Sequence, residues 1–207
     1  MGGQSLATYN MAFSTGGLFR RESEVVAKLY LSLMDWQLVR EKTLAENLLQ
    51  TRKVSSAKRW VREVVFRLQK LSRQELELLA SSGAQDQATL IWIAVCRRFS
   101  FIADFMQEVV RERYLSLRSD LGYADFDAFF ESKSRQHPEL AEISASTTAK
   151  LRQVLFRMLR EAHLLSRDNQ IQTPTLSREI ASVLLANRAA SARYFPIAET
   201  DLRSLAK

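Results

Sequence analysis

A chain of 207 residues with net charge +7, 46% hydrophobic and 26% charged, is expected to fold as a soluble protein of one or two domains. Its single cysteine, Cys96, excludes an internal disulfide framework, and its longest apolar run, Ala88 to Cys96 broken by Thr89, falls well short of the ~20 residues of a membrane helix. The first residues lack the basic-then-apolar layout of a secretory signal, so a cytoplasmic protein without a membrane span is expected.

Few glycines and prolines mean few tight turns, which points to an all-α fold. Residues 1–21 begin with a Gly- and Ser-containing stretch without a clear period, and predict a loose arm. From Glu22, the spacing of Val25, Val26, Leu29, Tyr30 and Leu33 predicts a helix. Asp35 is placed to cap a second helix ending near Asn47. Ser55 and Ser56 predict the cap of a third, running to about Leu71, and Ser72 with Glu75 predicts a capping box for a fourth. After the break at Ser81-Ser82-Gly83, two longer helices are expected, Gln85 to Arg98 and about Phe101 to Ser119. Their dense apolar residues, Trp92, Ile93, Phe101 and Phe105 among them, predict the central core. A short aromatic helix follows Gly122 and another starts at Pro138. Ser146, Thr147 and Thr148 then predict the cap of a long basic helix, and Ser177 starts a further helix before a mixed tail.

The positive charge is not spread evenly. Residues 52–70 carry Arg52, Lys53, Lys58, Arg59, Arg62, Arg67 and Lys70 against Glu63, and residues 148–167 carry Lys150, Arg152, Arg157, Arg160 and Arg167 against Glu161. The rest of the chain is net acidic. These two segments also echo one another: REVVFRL at Arg62–Leu68 and RQVLFRM at Arg152–Met158. On a helical wheel Trp60, Val61, Val64, Val65 and Leu68 fall opposite Lys58, Arg59 and Arg62. In the later segment Leu151, Val154, Leu155 and Met158 fall opposite Arg152, Arg160 and His163. The shared Phe66 and Phe156 lie off the main apolar stripe, which predicts a second packing contact made the same way twice.

A basic amphipathic helix, third in a run of short helices and with hydroxyls at its start, describes a helix-turn-helix unit that grips DNA phosphates. Residues 22–71 fit that description, and residues 138–185 fit a winged variant with a polar ribbon after Leu165. The alternative from pattern alone is a helical bundle with solvated basic faces. Enzymatic readings find little support. Asp125, Asp127, Glu131 and Lys133 spell a nuclease-like D…ExK order, but they alternate with phenylalanines on one expected helix. The two histidines, His137 and His163, lie in separate elements, Cys96 reads as a buried apolar residue, and no Gly-rich phosphate loop is present.

The runs VAKLYLSLMDWQLVREKTLAENLLQTRKVSSAKR, WIAVCRRFSFIADFMQEVVRERYL and TTAKLRQVLFRMLREAHLL resemble the BrxA family of the BREX bacteriophage-exclusion systems, over about residues 9–185. The resemblance implies a small, helical, non-enzymatic protein that binds DNA through helix-turn-helix-like parts. It implies possession of BREX partners as well, among the methyltransferase, phosphatase-like and ATPase components. The family has been likened to the antitermination protein NusB, which keeps an RNA-binding or assembly role as the alternative. It has also carried an inner-membrane label, at odds with the short apolar runs here.

The expected architecture is therefore all-α: an arm at 1–21, a helix-turn-helix-like unit at 22–82, central helices at 83–136, and a winged-helix-like unit with tail at 137–207. Double-stranded DNA is the expected partner of a monomer without cofactor, metal or catalytic residue. The residues expected to touch it are Arg52, Lys53, Ser55, Ser56, Lys58, Arg59 and Arg62 in the first unit, and Thr147, Thr148, Lys150, Arg152 and Arg160 in the second.

Overall fold

Asp35 shows how this chain starts its helices. Its carboxylate accepts the backbone N–H groups of Gln37 and Leu38 at 2.6 and 3.0 Å, satisfying two donors that a helix leaves unpaired at its start. The structure, a computed structural model, describes residues 7–186 and 191–206. The cap joins α1 (Arg20–Leu33) to α2 (Trp36–Ala45), and α3 (Val54–Leu68) and α4 (Arg73–Ser81) follow. Ser72 and Glu75 form the expected capping box of α4. Together with α5 (Ala84–Arg98), these helices pack into one bundle, α1 touching α2, α3, α4 and α5.

The fold is all-α, as expected. Every residue of α5 from Gln87 to Cys96 is buried, so this helix is covered on all sides and forms the axis of the core. Trp92 is fully buried and its indole N–H donates to the Tyr194 carbonyl at 3.0 Å. The long helix expected over 101–119 is three pieces: α6 (Ser100–Phe105), a π-helical stretch over Met106–Arg111, and α7 (Glu112–Leu115). Beyond it lie the aromatic helix α8 (Tyr123–Ser134), the short α9 (Pro138–Ala141), the basic α10 (Ala145–Glu161), then α11 (Arg178–Ala186) and α12 (Glu199–Leu205). No helix among the described residues is long and apolar enough to cross a membrane.

Three expectations are corrected. Ser55 and Ser56 do not cap α3; the cap position is Lys53, without a side-chain acceptor, and both serines sit in the first turn. The cap of α10 is Ser144, whose hydroxyl accepts the Thr147 N–H at 3.3 Å. The arm is not loose over residues 7–19, because Tyr9, Phe13, Leu18 and Phe19 are buried in the common core. Phe13 packs edge-on to Phe99 and Tyr9 edge-on to Phe101. A segment without regular structure is thus held by its aromatic side chains; residues 1–6 lie outside the described part.

Candidate nucleic-acid interface

On α3 the polar face stands as the wheel predicts. Arg52, Lys53, Ser55, Lys58, Arg59 and Arg62 are exposed and Ser56 is half-buried. The five cations of that set make no ion pair or side-chain hydrogen bond among the described residues. The one acidic residue of the segment, Glu63, is turned inward. An unneutralised positive face therefore runs from the loop before α3 along its first half, a geometry suited to a polyanion.

The second set is arranged differently. Thr147 and Lys150 are exposed near the start of α10, and Thr148 is half-buried with its hydroxyl donating to the Ser144 carbonyl at 3.2 Å. Arg152 is paired with Asp127 of α8 and lies 4.7 Å over the Tyr123 ring. Arg160 donates to the Asn169 side chain at 2.6 Å. Lys150 is the cation of this set that remains unpaired among the described residues. The ribbon after Leu165 forms two isolated antiparallel bridges, Leu165 with Ile171 and Asp120 with Gln170. It is thereby tied to the loop after α7.

One residue in the first basic segment lies where the sequence did not show it. Arg67 is fully buried. Its Nε donates to Glu63 at 2.8 Å and its Nη1 to the Gly17 carbonyl at 2.8 Å. Burial pushes the guanidinium below its ordinary value, and Glu63 opposes that shift. On the other side of the same peptide, Glu161 of α10 accepts the Leu18 N–H at 2.5 Å and the Arg157 Nε at 2.7 Å. A Cβ on Gly17 would overlap that carboxylate and displace it from the Leu18 N–H. The two echoing helices thus grip opposite sides of one segment of the arm. Around Arg67 guanidinium groups and rings alternate: Arg40 over Phe66, Arg98 over Phe66 and Phe99, Arg67 over Phe99 and Phe19, and Phe19 against Trp60. Each such contact is worth about 0.5–2 kcal/mol. The i, i+4 spacing of Glu63 and Arg67 was the available signal for the pair, though not for its burial.

The carboxylates and lysine of the nuclease-like order are engaged separately. Asp125 holds the Gly122 N–H at 2.7 Å and pairs with Arg113; Glu131 pairs with Arg135, and Lys133 with Glu108. No metal-holding group of His, Cys, Asp and Glu occurs among the described residues. His137 is buried, its ring 4.1 Å from that of Tyr9 and its Nδ1 3.1 Å from Glu139. His163 is exposed at φ 58, just past α10. Cys96 is buried, and desolvation raises its thiol well above the ordinary range.

Comparison with known proteins adds to this geometry. Residues 7–188 match the model of the BrxA family. The BREX protein BrxA of Escherichia coli O9:H4 (strain HS) is 30% identical over 171 residues, which cover 82% of this chain and 80% of that protein. The BREX protein BrxA of Bacillus cereus (strain H3081.97) is 27% identical over 151 residues, 72% of this chain and 76% of its own. The crystal structure of an uncharacterized protein from Magnetospirillum magneticum superposes with a TM-score of 0.78 at 23% identity, covering 90% of this chain and 97% of that one. That likeness shows the fold alone.

Proposed function

The chain belongs to the BrxA family, and from that premise we propose that it serves BREX phage defence as a non-enzymatic protein binding double-stranded DNA. The observation that carries this reading is the cation face of α3: Arg52, Lys53, Lys58, Arg59 and Arg62 are exposed and without carboxylate partners among the described residues. Such a face displaces counterions from a phosphate backbone, so binding is driven by charge and carries little sequence information. Thr147, Thr148 and Lys150 at the start of α10 provide a second, weaker contact, and Arg152 and Arg160 act there mainly as internal ties. In this reading the protein works in the cytoplasm, as a monomer that meets the other BREX components on DNA.

Fluorescence anisotropy with duplex DNA at increasing salt tests it. If about five phosphates are contacted, log affinity should fall against log salt with a slope near −4.5. A slope shallower than about −2 removes the electrostatic basis. An RNA hairpin of equal length, titrated at the same salt, separates the alternative: preference for the hairpin would favour the RNA-binding role.

A further inference from the structure

Three adjoining hollows lie beside the arm. The first, of about 460 Å³, is bounded by the Leu48–Gln50 loop, Val25 and Trp60. The second, of about 350 Å³, lies between residues 16–22, Trp60 and the end of α10. The third, also about 350 Å³, runs from Arg160 along the 165–175 ribbon. Arg21, Glu22 and Trp60 line both the first and the second, and His163 lines both the second and the third. Together they make one trough from the loop before α3 to the ribbon after α10.

The lining of this trough has a consistent chemistry. Arg21, Arg157 and His163 line it, together with Arg20, whose guanidinium donates to Gln87, and Arg160, whose guanidinium donates to Asn169, against the carboxylates of Glu22 and Glu161. Glu161 is already engaged by the Leu18 N–H and Arg157, so the trough is net positive. Trp60 is half-buried, and its ring is backed by Phe19 at 5.2 Å. The two rings meet at 56°, a tilted contact that restrains the indole as a platform at the wall of the trough. The start of α1, beside it, receives no side-chain cap from its N-cap residue Phe19, and among the described residues its first-turn N–H groups add donors suited to phosphate. At the far end Ser166, Gln172 and Thr173 supply uncharged hydrogen-bonding groups.

From these features we infer that the trough binds a single strand of nucleic acid, with a base stacked on Trp60 and phosphates against Arg21, Arg157 and His163. Hollows of this size each receive one nucleotide-sized group, and a base freed from pairing has a face to lay on the indole. A duplex keeps its bases stacked inside and offers the trough phosphates alone. An acidic peptide would find the charges but nothing that needs the platform. Apart from Arg160, the site uses none of the residues assigned to duplex binding, so it stands or falls separately from that role.

The test uses the full chain and labelled oligothymidylate or oligouridylate about ten nucleotides long, within the ~4–16 nucleotide footprint of such sites. Trp60→Ala should weaken binding roughly 5- to 100-fold, the range of one base–aromatic stack, and Trp60→Phe should retain most of it. Arg21→Glu should weaken it further, while the affinity for duplex DNA stays the same in all three variants. Near-ultraviolet circular dichroism and thermal unfolding establish that each variant is folded. A preference for the deoxy or the ribo strand identifies the sugar recognised, and either supports the site. The inference is overturned if neither strand binds, if folded Arg21→Glu binds as the parent does, or if folded Trp60→Ala does. It is overturned equally if only Arg59→Glu with Arg62→Glu abolishes strand binding, or if polyglutamate of equal charge displaces the strand as well as nucleic acid does.

Discussion

The heptapeptides Arg62–Leu68 and Arg152–Met158 share their arginines, a valine and a phenylalanine, yet the fold uses them in opposite ways. The last arginine is fully buried in α3 as Arg67 and mostly exposed in α10 as Arg157. The phenylalanines are reversed: Phe156 is fully buried against Tyr123, whereas Phe66 is half-buried between the guanidinium groups of Arg40 and Arg98. Arg62 stands free among the described residues, and its counterpart Arg152 is tied to Asp127. One substitution between the two copies accompanies the difference. Glu63 is the inward partner of Arg67, and Gln153, at the equivalent position, is exposed while Arg157 turns instead to Glu161. Matching amphipathic patterns therefore specify two helices with similar faces, and their surroundings decide which arginine becomes structure.

The largest test of this contrast removes the two equivalent arginines. Arg67→Ala leaves Glu63 without its closest partner in the interior and should cost about 3–5 kcal/mol, while Arg157→Ala should cost less than about 1 kcal/mol. Urea unfolding of both variants measures the gap, and equal costs would refute the contrast. The phenylalanines should rank the other way. Phe156→Ala opens a core cavity at about 3–5 kcal/mol; Phe66→Ala forfeits partial burial and two guanidinium contacts, about 1–3 kcal/mol. The same denaturant series resolves that order.

Acid compares the two ends of the molecule more gently. Burial pushes the Glu75 carboxyl up, but hydrogen bonds from Arg97 and Ser72 outweigh this and hold it below the usual range. The Tyr9 N–H does the same for Glu139, against a smaller opposing effect of desolvation. A lowered carboxylate contributes stability that is complete above its unfolded value, near pH 4–5, and lost as pH falls through its folded value. Melting temperature should therefore fall on acidification below that range. Glu75→Gln, less stable at neutral pH, should flatten the fall more than Glu139→Gln does. The smallest effect on stability belongs to the exposed cations: Arg59→Glu with Arg62→Glu should stay within roughly 0.5 kcal/mol and yet lower duplex affinity at least tenfold. Reversing Lys150 and Arg152 should cost less affinity but more stability, because Glu at position 152 would face Asp127. If the first reversal unfolds the protein, those arginines belong to the structure.

Local signals were legible where the side chain's own partner is fixed within one turn, and misleading at the hydroxyl runs of Ser55–Ser56 and Ser146–Thr148, where several neighbours compete for one cap position. Asp35 and the Ser72–Glu75 box are short-range patterns, and both cap as read. The exposed face of α3 followed from periodicity alone. Arg67 did not, because it sits at the edge of the apolar stripe and is covered by a segment fifty residues earlier. Nor did the packing of the arm, whose aromatics have no period to reveal their destination. The π-helical turns over Met106–Arg111 were equally hidden, since their apolar residues also fit an ordinary helix.

The arm also sets an order of events. Tyr9 donates its backbone N–H to a residue 130 positions later, and Leu18 to one 143 positions later. At ribosomal rates of roughly 5–20 residues per second, those partners emerge about 7–30 s after the arm does. During that interval Leu18 has no Glu161 of α10 to accept its N–H, and the bundle of α1–α5 is complete first. Final closure thus waits on the late part of the chain, as contacts of high sequence separation do in slow-folding topologies. The arm can be sealed on its α10 side only after Glu161 has been made.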